Sequence, residues 1–66
     1  MLIDDIREKV RAIRLSAGDP EGAHSQEDDL WQAVLQAIAN GEVDDPRLAA
    51  FEALETTKID FPRWCA

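Results

Sequence analysis

Apolar residues fall along this chain in three stretches at helical intervals, parted by short polar stretches that carry glycine or proline. In the first, Ile3, Ile6, Val10 and Ile13 follow at 3-4-3 spacing. That spacing lays them on one stripe of a helix over about residues 2–17, with mostly charged positions around it. Gly18 follows as a residue free to turn left-handed and stop the helix. The second stretch opens on "GDPEG". Asp19 can cap the first free backbone N–H groups and Pro20 suits the first helical position, which predicts a helix over 20–40. Ser25 with Asp28 approximates a capping box and offers a rival start, and Gly22 weakens the earlier one. Leu30, Val34, Ala37 and Ile38, with Trp31 and Leu35 beside them, form a wide apolar face that Asn40-Gly41 ends. The third stretch repeats the opening. Asp45 caps, Pro46 starts, and Leu48, Phe51 and Leu54 continue at 3-3 spacing in a helix over 46–56.

After a break at Thr57-Lys58 comes "IDFPRWCA", where Asp60 can cap a short turn near residues 60–65. A tail this short is ordered only if its large side chains are buried. Ile59, Phe61 and Trp64 are therefore expected to pack on the helices and close the core. No segment shows the alternation of a half-buried strand. The pattern predicts one all-α domain over residues 1–66: a small three-helix bundle, or a helical hairpin plus a third helix, with a packed C-terminal tail. A homodimer through the first two helices is the alternative, because so small a core is thin.

Size sharpens that point. A chain of 66 residues buries only about 60% of the surface it exposes when unfolded, and its stability margin is ~3–5 kcal/mol. One cysteine, Cys65, rules out an internal disulfide framework and fits a reducing compartment. Met1–Val10 carries five charged residues and no apolar run, unlike a secretory leader. The longest uncharged run, Leu30–Gly41, has twelve residues, against the ~20 a membrane-spanning helix needs. These features point to a cytoplasmic protein without a membrane role.

Charge changes the picture of partners. The net charge is −7. Residues 1–18 carry four bases (Arg7, Lys9, Arg11, Arg14) against three acids, whereas residues 19–66 carry three bases (Arg47, Lys58, Arg63) against eleven acids. The acidic part would repel nucleic-acid phosphates and attract a protein with a basic surface. On the first helix the charges read as a solvated face with i,i+4 neighbours such as Asp5–Lys9, able also to pair with the acidic remainder.

The chemistry-bearing candidates are few. His24, Glu27 and Asp28 lie within one turn of the second helix, and a histidine with carboxylates at that spacing is a candidate metal or hydrolytic cluster. A hydrolytic zinc site wants three protein ligands in fixed geometry plus an open position. Glu27 and Asp28 point about 100° apart, so another helix would have to complete the shell. The simpler reading is a helix beginning, with acids meeting the positive end of the dipole and His24 on the surface paired with Asp28. No nucleophile elbow and no phosphate-cradling glycine loop is present, so no catalytic residue and no cofactor is expected. Helix-turn-helix connectivity is present in shape, but "DPRLAAFEALE" offers one arginine against three acids, the wrong charge for a DNA groove. The strongest candidates are interaction residues: Trp31 at a helix edge with Leu35, and Arg63 and Trp64 in the tail, tryptophan and arginine being frequent interface anchors.

The segments "AHSQEDDLWQAVLQAIANG" and "ALETTKIDFPRWCA" together resemble a group of small uncharacterised helical proteins of actinobacteria and their phages, over about residues 19–66 and most specifically in the ending. The resemblance implies a bacterial or phage setting and a regulatory or inhibitory binding role. It implies no activity, cofactor or site residue. The expectation is a non-enzymatic acidic protein–protein interaction module, of which a DNA mimic is a special case. The rivals are a metal-binding or metal-dependent hydrolytic protein using the His24 cluster, and a DNA binder.

Overall fold

Two Asp-Pro pairs start two of the three helices. In the computed structural model, which describes residues 1–63, Asp19 Oδ1 accepts from the Gly22 N–H at 3.3 Å and Asp45 Oδ1 accepts from the Leu48 N–H at 3.1 Å. Pro20 and Pro46 open the helices that follow, α2 (Pro20–Ala39) and α3 (Pro46–Leu54). The rival start at Ser25 is not used, since Ser25 lies inside α2. The first helix, α1, spans Ile3–Leu15, and the Asp5 carboxylate accepts from the Leu2 N–H at 3.3 Å. A 3-10 turn, Glu55–Lys58, continues directly from α3. The fold is a small all-α three-helix bundle, with no strand among the described residues.

Several element ends differ from the sequence reading. The first helix closes at Leu15, two residues early: the Ser16 N–H still reaches the Ala12 carbonyl, but the N–H groups of Ala17 and Asp19 bond three residues back, to the carbonyls of Arg14 and Ser16, in tighter turns. Gly18 is not left-handed; the one positive φ among the described residues is at Gly41, 71°, where α2 ends. The last turn lies at 55–58, hydrogen-bonded within α3's own continuation. Residues 59–63 form no regular element, and the rest of the expected turn at 60–65 lies outside the described residues.

The core is one cluster: Ile6, Val10 and Ile13 from α1, Ala23, Leu30 and Val34 from α2, Ala49 and Ala53 from α3, and Ile59 and Phe61 from the tail. Trp64, expected to join it, lies outside the described residues. The main correction concerns α3. The sequence reading turned Leu48, Phe51 and Leu54 inward, but Ala49 and Ala53 are the buried pair, and Phe51 and Leu54 are 59% and 53% exposed. At 100° per residue the 3-3 set drifts by about 60° per step. Ala49, Ala53 and the buried Thr56, at 4-3 spacing, stay closer to one line. Alanines on that line let α3 approach α1 and α2 closely, which bulkier side chains would prevent. Across the bundle, Arg7 Nη2 donates to Glu52 Oε1 at 3.0 Å and Gln26 Nε2 to Ser16 Oγ at 3.1 Å, tying α1 to α3 and to the start of α2.

This arrangement predicts unequal costs on α3. Ala49→Leu overfills the core and costs about 1–3 kcal/mol, lowering Tm by roughly 4–8 °C per kcal/mol in a domain of this size. Phe51→Ala stays within about 0.5 kcal/mol of wild type. Thermal melts followed by circular dichroism check the order; a large loss from Phe51→Ala with Ala49→Leu tolerated would reverse it.

Candidate interaction surface

Turning Ala49 and Ala53 inward turns the larger side chains of α3 outward. Ala50 and Leu54, at i,i+4, face the α2 flank that carries Trp31, Val34 and Leu35. Together with Ala53 these residues line an apolar groove of about 200 Å³ between the two helices. Leu35 on one wall is 66% exposed. Phe51, a turn before Leu54, extends the apolar surface along α3. Trp31 is half-buried, and its Nε1–H donates to the Ala53 carbonyl at 3.1 Å and to Thr56 Oγ1 at 3.0 Å. The indole's one polar group is thereby satisfied inside the bundle and the ring is held as a fixed wall of the groove. On the outer side the surface continues along α2 past Asp28, Gln32 and Gln36.

Behind that wall lies a polar cluster the sequence reading did not foresee. Glu27 is 3% exposed and occupies a core position, one of the buried series Ala23, Glu27, Leu30 and Val34 at 4-3-4 spacing. Arg63 grips it in fork geometry, Nε to Oε1 at 2.9 Å and Nη2 to Oε2 at 3.1 Å. The same guanidinium donates to the carbonyls of Thr56 (2.7 Å), Ile59 (3.1 Å) and Phe61 (3.2 Å), and lies 3.9 Å from the centre of the Phe61 ring. Arginine's planar fork suits this task, since it offers five donors at once. Among the described residues no buried side-chain polar atom lacks a partner. Arg63, expected as an interaction anchor, is thus an internal clasp. The signal available in the sequence was that the α2 stripe, extended back from Leu30, passes through Glu27.

Burial alone would push the Glu27 carboxyl up. Hydrogen bonds from Arg63 and Thr56, with the positive charge of Arg63 nearby, outweigh it and hold the carboxyl below its ordinary value. The candidate metal cluster does not assemble. Glu27 is committed to Arg63, while His24 Nε2 lies 3.5 Å from Asp28 Oδ1, a surface pair one turn apart. Among the described residues no group of three or more His, Cys, Asp or Glu side chains is placed to hold a metal ion. No helix of the described residues is long and apolar enough to cross a membrane.

Two predictions follow from this geometry. Because the folded-state value of Glu27 lies below its unfolded value, the pair contributes fully above pH 4.5, and the contribution is lost as pH falls through the folded value. Arg63→Met strands a buried carboxylate and costs about 2–3 kcal/mol at neutral pH, less than a fully buried pair because the Arg63 side chain is 31% exposed. In that variant the main opposition to burial is gone, the Glu27 carboxyl rises, and acidification narrows the gap to wild type. Urea unfolding of both proteins at pH 7 and pH 4 measures this; a gap independent of pH contradicts it. For the His24 cluster, a metal site at a hundredfold excess over its Kd would add about 2.7 kcal/mol. The expected result with zinc or manganese in excess is an unchanged melt, both for wild type and for His24→Ala.

No known protein family matches this chain. No curated protein is similar to it. No solved structure matches it.

Proposed function

We propose that this protein is a non-enzymatic acidic interaction module that docks a basic protein partner on the α2/α3 groove. The observation that carries the reading is the exposure of Leu35 and Leu54 on the two walls of the groove, next to the fixed ring of Trp31. A domain of this size has few large apolar side chains, and leaving two of them in water at a groove costs stability that burial would return. Contiguous exposed apolar surface of this kind marks interaction sites. Tryptophan held rigidly in such a wall is suited to anchor a partner, because little side-chain freedom is lost on binding.

Charge selects the partner. With a net charge of −7 and eleven of fourteen acids after residue 18, the protein attracts basic surfaces and speeds their encounter. The same charge opposes nucleic acid, and the outward face of α3 presents Phe51 and Leu54 with Arg47 as its one base. The proposal includes a cytoplasmic role in a bacterial or phage setting.

The test compares wild type with a Leu35→Asp/Leu54→Asp double variant as baits in a bacterial lysate at low salt, with a crosslinker. Both residues are exposed, so the variant's melt should match wild type. The expected result is a basic protein recovered by wild type and lost from the variant. Equal recovery of the same proteins by both baits contradicts the reading.

A further inference from the structure

We propose that the occupant of the α2/α3 groove is a single basic amphipathic helix of the partner, which seats one large apolar side chain between Trp31 and Leu54. This rests on the reading of the protein as an interaction module and adds the form of what it binds.

Three features of the groove choose among occupants. The first is size. About 200 Å³ falls below the ~300–1,000 Å³ of small-molecule and cofactor sites, but it admits a side chain. The second is the lack of backbone partners. Both walls are helices whose N–H and C=O groups bond within their own turns. The one side-chain donor at the site, Trp31 Nε1–H, is already shared between the Ala53 carbonyl and Thr56 Oγ1. An extended peptide laid here would leave its own backbone groups unpaired against apolar surface, a cost of about 1–3 kcal/mol for each group removed from water. A helix carries its backbone bonds with it and loses none. The length also suits: α3 has nine residues, about 13 Å, and helix anchors at i, i+3 or i+4, and i+7 span about 10 Å.

The third feature is charge, which decides between a second copy and a foreign chain. Two copies would bring two net charges of −7 together. A shallow surface that shares Trp31 and Leu35 with the groove runs along α2 to Asp28, whose side chain is 68% exposed. A helix with lysines or arginines flanking its apolar stripe relieves that field, and a second copy adds to it.

The probe is a synthetic Lys/Leu helix of about 18 residues with leucines at i, i+3, i+4 and i+7. It is compared with an analogue interrupted by a central proline and with one whose leucines are replaced by asparagine. Each is titrated into isotope-labelled protein while backbone amide and Trp31 indole resonances are followed. The expected result is saturable shifts centred on residues 31–39 and 50–54. Binding should be about tenfold weaker for the proline analogue and for Leu35→Asp/Leu54→Asp, a loss equivalent to ~1.4 kcal/mol. Equal binding of the proline analogue overturns the helix. Equal binding of the asparagine analogue reduces the effect to charge attraction and also overturns it. Shifts centred elsewhere, no binding of the parent peptide, or a dimer in sedimentation whose dissociation on dilution moves the groove resonances each overturn it as well. The module reading fails separately, through equal lysate recovery by the wild-type and double-variant baits.

Discussion

The close seating of α3 through Ala49 and Ala53 is the constraint from which most of this structure follows. A third helix can complete the core of two others only at a distance its inner side chains allow. Two methyl groups let α3 approach until Glu52 meets Arg7 and the Ala53 carbonyl meets the Trp31 indole. Phe51 and Leu54 are then left exposed, Leu54 on the flank beside Trp31. One packing choice therefore closes the core and builds an apolar groove on its outer flank. Here the feature that reads as interaction surface is a geometric by-product of how the fold is closed.

The Glu27–Arg63 clasp does for the tail what helix bonds do elsewhere. Residues 59–63 form no regular element, yet Ile59 and Phe61 are buried with them, and buried carbonyls need donors. A single guanidinium supplies donors to two of these carbonyls, at Ile59 and Phe61, and to that of Thr56 in the turn before them, and Glu27 balances its charge. An ion pair in such a place adds less net stability than its geometry suggests, because both charges lose water. Its contribution is to specify one path for the tail. Thr56 links the clasp to the groove: its carbonyl accepts from Arg63 and its hydroxyl accepts from Trp31. Tail and groove wall therefore share one hydrogen-bonded unit.

Which parts were legible in the sequence follows from the range of the forces involved. The α1 stripe and the Asp-Pro starts of α2 and α3 are local: capping and fixed φ act within one turn, and they gave the α3 start at Pro46 and, with Ser25 left as a rival, the α2 start at Pro20. The face of α3 was misjudged because hydrophobicity ranks leucine and phenylalanine above alanine, whereas the close approach selects small volume, a property of the neighbours. Glu27 was misjudged for a related reason. Its partner lies 36 residues away, and without that partner a glutamate near a helix start reads as a dipole-stabilising surface acid. Arg63 was taken for an anchor by residue type alone. Trp31 was expected half exposed at the helix edge and is half-buried there, whereas Leu35, read as part of the same apolar face, is left exposed.

The seating of α3 is tested most directly by nuclear Overhauser contacts of its side chains in solution. The account predicts contacts from the Ala49 and Ala53 methyls to the Ile6, Val10 and Ile13 methyl set. It also predicts contacts from Leu54 to the Trp31 ring, and none from the Phe51 ring to the α1 set. Contacts from Phe51 and Leu54 to Ile6, Val10 or Ile13, with the alanine methyls facing solvent, would contradict it and remove the groove with it.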